Sequence, residues 1–129
     1  MPESLKPGLV HEMSIEVTEA NIVSQETPVF STPQMVLLME QASLNCVKPY
    51  LPHGSITVGT HLQISHRAAS PRGSWITARS ELMEVDGRRL VFQVVAFDEV
   101  ELIGDGIHER AIVNLARFLA KLEDRQPKP

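Results

Sequence analysis

Three side chains in this sequence could act together on an activated carbonyl: Thr32, Glu40 and His66. A carboxylate can attack an electrophilic carbon or take a proton from water. An imidazole can deliver a proton near neutral pH, and a hydroxyl can hold either group in place. Glu40 draws attention through its surroundings. It interrupts the apolar run of "STPQMVLLMEQAS" (31–43), with Val36 and Leu44 one helical turn to either side. At about 100° per residue, Gln34, Gln41, Asn45 and Lys48 form one polar stripe, and Glu40 falls about 110° from its centre. Such a carboxylate either pairs with an arginine or meets a partner chain at the helix edge. Otherwise it is held in a low-dielectric pocket, where its pKa rises and it serves as base or nucleophile.

His66 shares parity with Ile56, Val58, Leu62 and Ile64, so an unbroken strand turns it inward, toward the helix. Thr32 has two readings. If it is the N-cap, Pro33 takes the first helical position, where proline is favoured. Ser31 with Gln34 forms a competing capping box and leaves the hydroxyl of Thr32 available. Thr32 and Glu40 lie about 12 Å apart along the axis in either frame.

These residues need a scaffold, and periodicity supplies one. Met13, Ile15 and Val17 alternate with polar residues, as in a half-buried strand. A helix runs from about Pro33 to Lys48 and stops at Pro49 and Pro52. From Ser55 onward the pattern is β. "SPRG" (70–73) turns the chain into "SWITARSELMEV", and Asp86-Gly87 is a hairpin signal. "RRLVFQVVAF" is apolar on both faces, "IGDG" (103–106) reads as another turn, and "IHERAIVNLARF" is the last strand, with helical spacing over 115–122. Strands joined by tight turns are antiparallel. The order predicts an α+β hot-dog fold: one long central helix wrapped by a curled antiparallel five-stranded sheet.

At 129 residues the chain is one domain, 1–129, with loose termini expected over about 1–10 and 123–129. A net charge of −4 without a basic stripe argues against nucleic acid, and no apolar run approaches a membrane span. The N-terminus lacks the features of a signal peptide, and Cys46 is the only cysteine, so a reducing, cytoplasmic setting is expected. The doubly apolar strand at 88–99 predicts a homodimer, or a tetramer built from it.

Thr32, Glu40 and His66, with Gly59 in "TVGTHLQISH", match in type and spacing the fluoroacetyl-CoA thioesterase-like group of the hot-dog superfamily. "STPQMVLLMEQAS", "TVGTHLQISHRAASPRGS", "EVDGRRLVFQVVAFD" and "GIHERAIVNLARF" resemble that group too, over roughly residues 12 to 118. The resemblance implies a homodimer that hydrolyses acyl-CoA thioesters without a metal. It implies that Thr32, Glu40 and His66 act together and that Gly59 and Arg110 line the site. The aromatic lid of the fluoroacetyl-specific enzyme has only Phe30 as a counterpart in "NIVSQETPVF" (21–30).

The chemistry agrees with this implication. The helix N-terminus near Thr32 can hold an oxyanion, a backbone N–H near Gly59 can assist, and His66 can orient Glu40 or protonate the leaving sulfur. Coenzyme A enters as part of the substrate, and no other cofactor is implied. Arg67, Arg72, Arg88 and Arg89 are candidates for its phosphates. "HERAI" lacks the second histidine of a zinc-protease motif, and His11, His53, His61, His66 and His108 show no metal-ligand spacing. Cys46 falls with Met35, Met39 and Ala42, as a core residue. The competing reading is a non-catalytic module that binds acyl-CoA as a sensor or carrier. A hydratase would need an Asp and a His on one short loop-helix segment, which is lacking.

Overall fold

A computed structural model describes residues 5–127 of the chain. Strand β1 (Val10–Glu16) leads through a long loop to helix α1 (Thr32–Val47) and a short 3-10 turn (Lys48–Tyr50). Strands β2 (Ser55–His66), β3 (Trp75–Asp86), β4 (Arg89–Phe97) and β5 (Leu102–Asn114) follow, and helix α2 (Leu115–Asp124) ends the fold. The strands form one antiparallel sheet in the order β1-β3-β4-β5-β2. The sheet curls around α1, as expected from the order of elements.

Helix α1 buries Met35, Leu38, Met39, Ala42, Ser43, Cys46 and Val47. That spacing is the i, i+3, i+4, i+7 stripe of a helix with one covered face. The stripe meets Ile76, Ala78 and Leu82 of β3 and Leu90, Phe92, Val94 and Ala96 of β4, all fully buried. Ser43 is polar within this stripe but satisfied. Its hydroxyl donates to the Met39 carbonyl (2.9 Å) and shares a 2.7 Å bond with Ser80. Cys46 is buried in the same core, and desolvation pushes its thiol pKa up.

Four expectations need correction. The turn at 70–73 is not a hairpin: β2 pairs with β5 and β3 with β1, so the chain crosses the sheet there. "IGDG" is not a turn but lies within β5. The turn comes earlier, where Asp98 Oδ1 accepts the N–H groups of Val100 (2.8 Å) and Glu101 (2.9 Å). The two glycines serve close approach instead. A Cβ on Gly104 would sit 2.6 Å from Met35 Sδ, and one on Gly106 would run into the Gln63 carbonyl. The Asp86-Gly87 hairpin is present, with Gly87 at φ 61°.

The N-terminal segment is also more tightly held than expected. Leu5 is buried in the core, Gly8 donates to Leu82 O, and Leu82 donates to Leu9 O, both at 2.8 Å. Residues 1–4 and 128–129 lie outside the described residues. At the other end, α2 runs to Asp124, with Asn114 as its N-cap accepting from the Arg117 N–H at 3.0 Å. The doubly apolar strand is β4. Leu90, Phe92, Val94 and Ala96 fill the core side, while Val91, Val95 and Phe97 form a half-buried strip outside. Among the described residues, no helix is long and apolar enough to cross a membrane.

Candidate active site

The predicted residues fall into two clusters. The first surrounds Glu40. Its Cα lies about 100° around the helix from the centre of the buried stripe, on a flank shared with Val36 and Leu44. The carboxylate is therefore not enclosed as the sequence suggested: its side chain is 38% exposed. It faces Arg110, whose guanidinium Nη1 lies 3.7 Å from Oε2.

Arg110 is buried and nearly fully wired. Its Nε donates to Thr57 Oγ1 (2.8 Å), Nη2 donates to the Thr57 carbonyl (2.9 Å), and Nη1 donates to His108 Nε2 (3.2 Å). His108 Nδ1 in turn donates to the His61 carbonyl at 2.9 Å. These contacts define the tautomer. A ring nitrogen facing a carbonyl must carry the proton, so the one facing Arg110 accepts, and His108 is neutral. Burial lowers the His108 pKa, and the Arg110 charge lowers it further, against the opposing effect of the His61 carbonyl. Desolvation likewise lowers the Arg110 pKa, while Glu40 raises it. A buried cation is costly unless it is paired, and Glu40 is its carboxylate partner.

Gly59 completes this cluster. A Cβ there would lie 2.9 Å from Glu40 Oε2 and 3.3 Å from the His108 ring, so the bare backbone makes room for the carboxylate. A β-bulge follows directly, between Gly59 and His61. It also corrects the parity argument for His66. Thr57 and Gly59 face the helix before the bulge, and Ile64 and His66 face it afterwards. Ile56 and Val58 therefore do not share a face with His66. The imidazole points inward because the strand slips by one residue.

The second cluster is the pair Thr32 and His66. Thr32 Oγ1 bonds His66 Nδ1 at 2.7 Å. His66 Nε2 is buried and, among the described residues, has no partner. The cap question is resolved in favour of Ser31. Ser31 is the N-cap and accepts the Gln34 N–H at 3.4 Å, while Thr32 and Pro33 occupy the first helical turn. Met35 donates to Ser31 O (3.0 Å) and Pro33 has no N–H to give, so the backbone N–H of Thr32 is the one left open there among the described residues. A cavity of about 260 Å³ opens beside the pair, lined also by Val23, Val29, Phe30 and Arg67. Phe30 is buried rather than free to swing, being hydrogen-bonded through its N–H to Ser70 O at 2.9 Å.

Of the remaining candidates, Arg67 reaches the cavity rim but is paired with Asp105 at 2.9 Å. Arg72 is held by Glu19 and Gln25, bracing the loop before α1, and lines neither cluster. The sequence reading missed Thr57 and His108. His108 and Arg110 alternate on one strand face, and that period-2 spacing was the available signal. Within the chain no hydrogen bond or ion pair links Glu40 to Thr32 or His66, so the expected trio is two separate groups.

A curled antiparallel sheet around one helix, with a carboxylate and a hydroxyl–imidazole pair at its open side, defines a hot-dog protein of the thioesterase type. The sequence profile of the fluoroacetyl-CoA-specific thioesterases matches residues 12–116. The fluoroacetyl-CoA thioesterase of Streptantibioticus cattleyicolor is 44% identical over 99 residues, covering 77% of this chain and 71% of that one. A solved fluoroacetyl-CoA thioesterase superposes with a TM-score of 0.89 at 36% identity, covering 97% of this chain and all of the other. A Thermus thermophilus protein of the thioesterase superfamily superposes at 0.87 with 26% identity, covering 95% of this chain and 96% of that one. The chain belongs to the fluoroacetyl-CoA-specific thioesterase family, and it is a thioester hydrolase.

Proposed function

We propose that the protein hydrolyses the thioester of a small acyl-CoA, without a metal, in a site assembled by two copies of the chain. The observation that carries this reading is the orphaned Nε2 of His66. One ring nitrogen is held by Thr32 while the other is buried and unmatched, an arrangement suited to a group that comes from outside the protomer.

Strand β2 is a sheet edge twelve residues long, and an exposed edge of that length invites pairing. Antiparallel pairing of two β2 strands about their midpoint would bring residues 55–59 of one copy toward 62–66 of the other. The Glu40–Arg110 cluster of one protomer would then approach the Thr32–His66 pair of its mate. The outer apolar strip of β4 would support a tetramer of two such dimers.

In that site Glu40 attacks the thioester carbonyl or takes the proton of the attacking water. The Thr32 N–H at the positive end of α1 stabilises the oxyanion. His66 delivers a proton from Nε2 to sulfur as the carbon–sulfur bond breaks. Arg110 and Gly59 hold the Glu40 carboxylate in place.

A thiol-release assay over a panel of acyl-CoAs, with light scattering at micromolar concentration, tests the reading. Turnover of short acyl-CoAs by a dimer or tetramer is expected. Tight acyl-CoA binding without thiol release would favour the sensor module instead, and an active monomer would overturn the shared site. A single turnover in ¹⁸O-water separates the two roles of Glu40, since only direct attack leaves label in its carboxylate after a second cycle.

A further inference from the structure

We propose that the pocket between β5 and α2, walled by Arg88, Arg117 and Lys121, seats the phosphates of coenzyme A while the thioester lies at Glu40. This rests on the acyl-CoA reading above and places the charged end of the substrate, which that reading leaves open.

Coenzyme A carries its negative charge far from its sulfur, so a site for it needs unpaired cations at arm's length from the catalytic carboxylate. Of the four arginines that the sequence offered, three are already neutralised. Arg67 pairs with Asp105, Arg72 with Glu19, and Arg89 with both Glu84 and Glu109. Arg88, in the turn after Gly87, has no carboxylate partner among the described residues, and neither do Arg117 and Lys121. The latter two lie one turn apart on α2 and so share a face. Together the three wall a cavity of about 200 Å³ whose other lining is Val113, Asn114 and Phe118. No acidic side chain enters it, although the chain as a whole carries a net charge of −4. The Phe118 ring offers a flat apolar surface beside the cations, suited to a purine base.

The placement matches the order of groups in the substrate. Along the β2–β5 pair, Gly59 faces Arg110, Thr57 faces Ile112, and Ser55 faces Asn114. The pocket therefore begins about 10 Å from Arg110, three residues further along β5, within the span of an extended pantetheine arm. Between the two lies a largely apolar groove of about 220 Å³, bounded by Leu44, Leu51, Ile56 and Thr57 with Lys48 at its rim. Ile56 and Thr57 belong to opposite faces of the sheet, so the groove passes around the free edge of β2 and connects the inner site with the outer pocket. Carboxylate, groove and cations follow one another as thioester, arm and phosphates do.

The test compares two thioesters of the same acyl group: the coenzyme A ester, and the N-acetylcysteamine ester, which lacks every phosphate. In a combined Arg88→Gln, Arg117→Gln, Lys121→Gln variant, KM for the coenzyme A ester should rise roughly tenfold or more, as expected for lost charge-assisted contacts. Its kcat should stay within about twofold, and kcat/KM on the N-acetylcysteamine ester should not change. Lys6→Gln, an exposed cation near β1, should behave as wild type. Calorimetry should detect adenosine 3′,5′-bisphosphate binding to wild type, weaker at high salt and lost in the variant. If the triple variant does not fold, Arg88→Gln alone should show the same split at smaller size.

An unchanged KM, or an equal loss on both esters, would overturn the assignment. So would displacement of the bisphosphate by inorganic phosphate at equal concentration, which would mark a general anion site. If wild type hydrolyses neither ester, the catalytic reading fails. The calorimetry then still decides this proposal, with bisphosphate binding lost in the variant upholding it and no binding to wild type overturning it.

Discussion

Around Arg110 the described donors and acceptors find partners inside the chain, whereas around His66 one ring nitrogen finds none. The guanidinium engages Thr57, His108 and Glu40, and His108 is tied in turn to the His61 carbonyl. The imidazole of His66 is fixed on one side only, by Thr32. The first region behaves as a frame and the second as a half-built contact. A buried polar atom without a partner is costly, so the second region is stable only if a substrate or a second copy supplies what is missing.

That contrast can be broken or sharpened by substitution. The largest effect is expected at Glu40, where the frame meets the chemistry. Glu40→Gln keeps the shape but removes the base or nucleophile, and kcat should fall by about 10²- to 10⁴-fold with little change in acyl-CoA binding. Near-normal turnover would reduce Glu40 to a counter-ion for Arg110.

Next in size is His66→Ala, which should lower kcat by about 10²-fold while KM moves far less, because the orphan nitrogen serves the leaving group. Parallel losses of binding and melting temperature, with turnover per bound substrate intact, would make the imidazole a core residue.

Thr32 and Ser31 form a paired comparison. Ser31 is the cap, so Ser31→Ala should cost about 1 kcal/mol of stability and leave kcat near wild type. Thr32→Ala should do the reverse, Thr32→Ser should keep much of the activity, and Thr32→Asp should fold yet turn over poorly because its charge opposes the oxyanion. Thermal melts and turnover on the four variants decide it, and a fully active Thr32→Asp would remove Thr32 from the site.

The smallest effect belongs to the frame. Burial lowers the His108 pKa from its ordinary 6.5, so the unfolded chain takes up a proton there before the folded protein does. Stability should therefore fall as pH drops below about 6.5 toward the folded value, and be fully present above that range. Urea unfolding across this window should show the slope, and His108→Gln should flatten it. An unchanged slope would mean that His108 is not the group responsible.

How the site could be read from sequence varied by residue. Glu40 was legible because a carboxylate among Val36, Met39 and Leu44 breaks a helical pattern that six neighbours establish. Gly59 was legible through the resemblance alone, since nothing local distinguishes it from Gly104 or Gly106. The inward direction of His66 was reached on parity that the bulge after Gly59 invalidates. His108 was set aside as a failed metal ligand, because its role depends on the His61 carbonyl and Arg110, and strand pairing brings these to it.

What the sequence determined by itself is what short-range physics controls. The covered stripe of α1, the turn at Gly87 and the run of β-strands after Ser55 follow from periodicity, capping and allowed φ over a few residues. The tertiary structure decided the rest: that β2 pairs with β5 rather than β3, that Asp98 makes the turn and the glycines of "IGDG" make room, and which arginines keep their charge free. Each of these depends on groups dozens of residues apart in the chain. A single inserted residue in β2 is enough to reverse which face His66 presents, because side chains alternate with a period of two and the slip is felt only against the neighbouring strand.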